Sequence, residues 1–395
     1  MSRTDRTPAS APFATALPAV MLVAAIFFLN FISRVILAPL MPVVQADLGF
    51  THAGAGYLFL SIALGNGTGL LLSGFVSRAW NHRRTVGLSA IAVGGLALIT
   101  PLADSYQTLI AAVFGLGVGA GLYLPSGIAA ITSLVRKEDW GKALAVHELA
   151  PNLSFVSAPL LAEAALFFFD WRTALTLIGG VQICLGLWFL KAGRGGDFPG
   201  LVPTPAMAAR IVRRPVFWLL VLFFSLAIGA NVGPYSMLPL YLVDAHGFSR
   251  PEANQLLSYS RIAACFVPFA AGWITDKWGA RLAILLGLCL TGASLVALGL
   301  ASGRFLVAMA LVEPVCSVIL FAPAFTMLSM SFDPAERSVA VALIGPCNAV
   351  LGMGLVPTFL GLMGDAGRFD TGFLVLGAVM ASAALLLPLA PGGKA

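Results

Sequence analysis

Charge is scarce in this chain of 395 residues: 10% are Asp, Glu, Lys or Arg, against 59% hydrophobic. So few charges cannot clothe a soluble surface, and so much apolar side chain exceeds what a water-soluble core of this size buries. Histidine is rarer still, with four residues at no ligand spacing. The five cysteines (Cys184, Cys265, Cys289, Cys316 and Cys347) fall singly inside apolar runs, which excludes a disulfide framework or a metal site. No nucleophile–base constellation, metal motif or nucleotide loop is present, so neither an enzyme nor a cofactor is expected. Alternating ten-residue strands are missing too, which removes a membrane barrel.

What the chain has instead is long, continuous apolar runs. Splitting at charges and Gly/Pro clusters gives twelve, near 18–43, 53–77, 85–103, 107–134, 141–166, 172–190, 216–242, 252–275, 282–301, 304–331, 338–361 and 371–390. The expected class is an all-α integral membrane protein of twelve transmembrane helices in two six-helix, pseudo-symmetric halves. The longest break, 191–215, is basic, so the division is 1–190, a linker 191–215, and 216–395. Met1–Pro12 is short, polar and basic, and the run after it is too long for the core of a cleaved signal; it reads as a retained first span.

Of the 23 Lys and Arg residues, 17 fall in segments on the N-terminal side of the membrane and four in the opposite loops. This bias predicts cytoplasmic termini in a multi-pass inner-membrane protein. The net charge of +6 therefore faces anionic lipid and not nucleic acid. The two remaining cations, Arg34 and Arg261, lie within spans.

A shift of 198 residues superposes Gly49-Phe50-Thr51 on Gly247-Phe248-Ser249, Gly74 on Gly272, Arg78 on Asp276, Pro125 on Pro323 and Glu138 on Glu336. Two parallel six-helix repeats place a substrate site between the halves at mid-membrane. Gly272, Asp276, Lys277, Gly279 and Arg281 resemble the G-x-x-x-D-R/K-x-G-x-R loop of the major facilitator superfamily of secondary transporters. The resemblance covers essentially the whole chain. In the equivalent first-half loop, Arg78 stands where the aspartate belongs and Asn81 where a glycine does. The resemblance implies a gating role for Asp276, Lys277 and Arg281, since an aspartate at a helix end can accept hydrogen bonds in one conformation and lose them in another.

Arg34 with Pro42 is similar to the first span of organic-anion and organophosphate carriers, where such an arginine binds the substrate anion. The glycine-rich fourth span fits them as well, and an arginine in the eighth span is similar to monocarboxylate and oxalate carriers. Chemically, a permanently charged guanidinium grips carboxylate, sulfonate or phosphate through paired hydrogen bonds. Asn30 shares the face of Arg34. Arg261 lies on a polar stripe with Ser258, and the two arginines are expected to converge on one small anion. Tyr123, Asn152, Asn231 and Tyr235 complete the expected substrate cavity, with Asn66, Tyr259 and Asn348 as further polar candidates. Glu148 and Glu313 are the candidate proton-coupling residues, because a carboxylate in low dielectric holds its proton more readily. His147, about 100° around the helix from Glu148, is expected to be packed, and Glu163 to be solvated or paired at the interface.

The expected function is transport of a small organic anion, a carboxylate or related oxyanion, by alternating access. Proton symport is the favoured coupling, in a monomer whose partners are substrate, protons and bilayer. Efflux of drugs or amphiphilic compounds is the alternative.

Overall fold

The computed structural model describes residues 11–390 apart from Pro203. Among the described residues, twelve helices are long and apolar enough to cross a membrane: spans 1 to 6 are Phe13–Leu48, His52–Ala79, His82–Leu102, Tyr106–Leu134, Lys137–Phe168 and Trp171–Ala192. Spans 7 to 12 are Pro215–Ala245, Arg250–Trp278, Ala280–Leu300, Gly303–Ser331, Glu336–Asp365 and Phe369–Leu389. Most outrun the hydropathy limits by a few residues. Between the halves, the short helix Pro205–Val212 carries Arg210.

Proline shapes the spans that surround the centre. A proline removes the hydrogen bond to the carbonyl four residues back and crowds it. Spans 1, 4, 8 and 10 each bend about one turn before such a residue, at Ile36, Leu122, Cys265–Phe266 and Ile319–Leu320. The prolines responsible are Pro39, Pro125, Pro268 and Pro323, and two of these are repeat equivalents.

The repeat also extends to the connections. Gly49 (φ +67°) and Gly247 (φ +68°) both end a span in the left-handed region. The next span then starts on a hydroxyl cap, with Thr51 accepting from the Gly54 N–H and Ser249 from the Glu252 N–H. These caps satisfy backbone donors that the first turn leaves free. Asn81 (φ 136°) and Gly279 (φ +83°) share a positive φ at equivalent positions. Asn81 tolerates it because its Oδ1 accepts from the Arg84 N–H at 2.8 Å. The loop that departs from the motif in sequence thus keeps its turn.

The two halves touch mainly toward the end opposite the termini, here called the far end. Every hydrogen bond between the halves among the described residues lies between that end and mid-depth. Glu163 of span 5 takes a forked pair from Arg250 of span 8 at 2.9 and 3.1 Å, and accepts from Asn254 Nδ2 at 2.6 Å. His52 of span 2 sits between two aspartates of the second half, with Nε2 2.9 Å from Asp244 and Nδ1 3.3 Å from Asp365. Below it, spans 2 and 11 are in backbone contact. A Cβ on Gly56 would fall 2.6 Å from the Thr358 Cα, and one on Gly361 2.3 Å from the His52 carbonyl oxygen. Only glycine permits that approach.

At the termini end the ties run within a half or from the linker to one. Arg210 and Arg214 both grip the buried Glu336, each at 3.0 Å. Arg281 caps the end of span 12 through the carbonyls of Leu387 and Pro388 at 3.3 and 3.1 Å, and that of Ala390.

Candidate functional site

Between the halves lies a cavity of about 330 Å³. It is bordered by the bends of spans 4 and 10 (Gly121, Leu124, Phe321, Phe325) and by the π-helical stretch Ala349–Gly354 of span 11. The half-exposed Phe325 and Val341 mark its mouth toward the termini end.

Most of the wall is apolar, with Phe27, Phe31, Phe224, Phe321 and Phe325 supplying aromatic area. Four polar side chains interrupt it: Arg34, Asn66, Glu148 and Asn348. Arg34 is 8% exposed. Its guanidinium carbon stands 5.0 Å from the Phe31 ring centroid, and its Nε has no hydrogen-bond partner. No carboxylate among the described residues lies within ion-pair distance. A guanidinium at this depth costs at least a few kcal/mol unless something neutralises it. Asn348 has its Oδ1 held by the Ser225 hydroxyl at 3.1 Å, which leaves its NH₂ uncommitted.

Arg261 is placed differently. It is 3% exposed and does not line the cavity. Its guanidinium carbon lies 4.9 Å from the Phe155 centroid and 4.8 Å from that of Tyr235, while Nη2 donates to the Asn231 carbonyl at 2.8 Å. Phe31 and Phe155 meet edge to face at 5.2 Å. The two cations expected to converge on one anion are therefore separated, in this conformation, by two aromatic rings. Glu313 is also sealed away, at 2% exposure with Oε1 unpartnered.

The other expected substrate contacts have protein partners. Asn30 is fully buried and donates to Ser89 at 3.2 Å, fastening span 1 to span 3 with no face on the cavity. Ser258 donates to the Val156 carbonyl at 2.6 Å. Tyr235 points to the Phe155 carbonyl at 3.4 Å, and Asn152 Nδ2 donates to the Glu148 carbonyl of its own helix at 2.9 Å. For Asn231 it is the backbone carbonyl that accepts from Arg261, while its side chain makes no hydrogen bond among the described residues. Tyr123 donates to the Val23 carbonyl at 2.8 Å. Among the gating candidates, Asp276 is exposed and makes no side-chain hydrogen bond, and Lys277 Nζ lies 4.7 Å above Trp273. Arg281 serves span 12 as described.

Glu148 faces the cavity with 59% of its side chain exposed, and its Oε1 is 3.2 Å from His147 Nδ1. The expected divergence of these neighbours is overcome by the reach of the glutamate, while His147 is fully buried. Sequence reasoning also missed the far-end clasp on His52. Its partners lie 192 and 313 residues away, and no spacing rule reaches that far.

The comparisons with known proteins agree with this architecture. A "Probable sulfoacetate transporter" of Cupriavidus necator is 23% identical, over 91% of this chain and 90% of that protein. The "Cephamycin export protein" of Amycolatopsis lactamdurans is 32% identical over 48% of this chain and 38% of its own length. Among solved structures, a bacterial homologue of the human lysosomal transporter Spinster, inward-facing and occupied, superposes with a TM-score of 0.79 at 17% identity. That match covers 97% of this chain and 98% of that one. The Major Facilitator Superfamily profile matches residues 23–267 and 244–394. With two six-helix halves closed at one end around a central cavity, the chain belongs to the Major Facilitator Superfamily of membrane transporters.

Proposed function

We propose that the protein carries an organic anion across the cytoplasmic membrane by alternating access, with Arg34 as the anion-binding group. The observation that carries this reading is the Arg34 guanidinium, buried at the cavity wall with no carboxylate partner. A carboxylate, sulfonate or phosphate supplies the missing counter-charge through two parallel hydrogen bonds. The phenylalanines fit the organic part of such a substrate, and Asn66 and Asn348 add polar contacts. The sulfoacetate annotation of the relative in Cupriavidus necator supports an oxyanion.

The charge bias of the loops supports cytoplasmic termini. The far end is then periplasmic, and the conformation is inward-open. In the opposite state the far-end contacts separate and Arg261, with Tyr235, Asn231 and Ser258 around it, becomes the second anion contact. Proton symport is the proposed coupling. Glu148 in the cavity and Glu313 near Arg261 are the carboxylates that load and release the proton, and Asp276 with its basic neighbours engages when the inner side closes.

Sulfoacetate, as a probe, tests the reading on purified protein. It raises the melting temperature of the wild type and leaves that of Arg34→Gln unmoved. Absence of stabilisation by sulfoacetate and by a panel of carboxylates and phosphates, at pH 6 and pH 8, would defeat it. The aromatic wall favours one competing reading, efflux of amphiphilic compounds. That reading predicts that Arg34→Gln retains drug resistance in cells.

A further inference from the structure

The cavity wall behind Arg34 contains a hydrogen-bond chain whose protons can be counted. The Tyr123 hydroxyl lies 2.8 Å from the Val23 carbonyl and 3.2 Å from His147 Nε2. A carbonyl has no proton to give, so the single phenolic proton goes to Val23. The phenolic oxygen then accepts, and His147 Nε2 carries a hydrogen. The Phe27 ring lies parallel over both partners, 4.9 Å from Tyr123 and 4.3 Å from His147. With the imidazole fully buried, this stacking fixes the plane of the ring, and the contacts of its two nitrogens with Tyr123 and Glu148 set which edge faces which.

The consequence falls on the other nitrogen. His147 Nδ1 lies 3.2 Å from Glu148 Oε1. With Nε2–H already assigned, a neutral imidazole presents a lone pair at Nδ1, and a carboxylate presents lone pairs facing it. That contact requires one proton between the two atoms, as imidazolium donating to carboxylate or as carboxylic acid donating to imidazole. We propose that His147 and Glu148 form a one-proton site, and that His147, not Glu148 alone, holds the proton the carrier couples to its substrate. This rests on the reading of the protein as a proton-coupled anion carrier and deepens it.

The pair is built for exchange on one side only. His147 is sealed, whereas Glu148 reaches the cavity that opens toward the termini end. Loaded, the pair is electrically neutral and leaves Arg34 to the substrate anion. When the proton leaves through Glu148, one negative charge remains on the wall that Arg34 also lines. That charge repels a bound anion and favours its release on the same side. Of the other charged or titratable groups on the elements around span 5, Glu252 of span 8 caps its own helix through Ser249, Tyr259 is exposed, and so are Lys137 and Glu138 at the termini end. Tyr123 comes from span 4 and Arg34 from span 1. Arg261 of span 8 lies behind Phe155, and Arg172 of span 6 pairs with Asp47 of span 1 near the far end at 2.6 Å. Lys191 of span 6 is exposed at the termini end, Glu163 is held by Arg250, and Lys142 pairs with Asp139 at 2.8 Å.

Nitrogen-15 chemical shifts of histidine-labelled full-length protein in lipid nanodiscs test the assignment without any substrate. Four histidine signals are present, and loss of one in His147→Gln identifies that of His147. In the wild type Nε2 carries a hydrogen throughout a pH series, whereas Nδ1 changes between protonated and bare. In Glu148→Gln that change is lost or displaced. In Tyr123→Phe, Nε2 is released and the Nδ1–H tautomer appears. A wild-type His147 with bare Nε2, or an Nδ1 signal that ignores both pH and Glu148→Gln, overturns the proton site. In proteoliposomes, accumulation of sulfoacetate driven by a pH gradient falls at least tenfold in His147→Gln; unchanged accumulation overturns the coupling role. Failure of wild-type sulfoacetate binding counts against the anion reading alone, because the shifts are measured without it.

Discussion

Two buried arginines sit at similar depth in the two halves, each over aromatic faces, and the structure treats them differently. Arg34 lines the cavity with no carboxylate partner, whereas Arg261 is enclosed by Phe155 and Tyr235 and bonded to a backbone carbonyl. Depth and charge are common to both; access is not. Each guanidinium leaves its Nε without a partner, but only that of Arg34 lies beside a cavity that a ligand can enter. On the proposed function, the comparison makes Arg34 of the first half the cation available to a ligand in this conformation.

The largest effect is expected at Arg34. Truncating one partner of a desolvated, hydrogen-bonded charge pair costs about 2–5 kcal/mol, so Arg34→Gln should weaken anion binding by roughly 30-fold or more at about 1.4 kcal/mol per decade. Calorimetric titration with sulfoacetate measures it. Arg261→Gln sharpens the contrast. Binding by protein locked inward-open should stay within about threefold of wild type, while transport in proteoliposomes falls steeply, because Arg261 acts only after the halves rock. Equal loss of binding in both variants would erase the distinction.

A smaller effect is expected at the far-end seal. Gly361→Ala places a methyl against the His52 carbonyl and should shift the population toward the outward-open state. Spin-label distances across the far end read that shift, and unchanged distance distributions would mean the glycine contact does not hold the state. His52→Ala removes the imidazole between Asp244 and Asp365 and should shift the same distances less. Partly exposed pairs of this kind contribute about 1 kcal/mol or less. The smallest change is expected for Tyr235→Phe. Its 3.4 Å contact to the Phe155 carbonyl is a weak hydrogen bond, and its ring face over Arg261 survives the substitution. Anion affinity and melting temperature should both stay near wild type.

Much of this molecule is readable in the chain. Span number follows from hydropathy, because a bilayer demands continuous apolar helices. The repeat follows from Gly49-Phe50-Thr51 and Gly247-Phe248-Ser249, because a left-handed helix end and a hydroxyl cap are local chemistry. Arg34 stands out because a charge in such a run is costly. What the chain does not show is which polar side chain another part of the protein has already satisfied. Asn30 reads as a neighbour of the anion site, yet Ser89 claims it. Tyr123 reads as a substrate contact, yet its proton belongs to Val23. The partition formed by Phe31 and Phe155 is equally hidden, since phenylalanine in an apolar span looks alike whether it faces lipid, core or cavity. Contacts made across the halves depend on the conformation adopted, and one-dimensional periodicity carries no record of that.

The ring that covers Arg261 has a further consequence. Phe155 belongs to span 5 and Arg261 to span 8, so their stacking bridges two halves that alternating access requires to part at the far end. Uncovering the second guanidinium and opening the outer mouth are thus one movement. In the proposed anion carrier, an anion entering from the far end meets that cation only after the ring has withdrawn, and the empty carrier forfeits the cation–π attraction, about 0.5–2 kcal/mol, each time that end opens. A substrate able to take the ring's place on Arg261 offsets that loss, so the occupied carrier faces outward more readily than the vacant one.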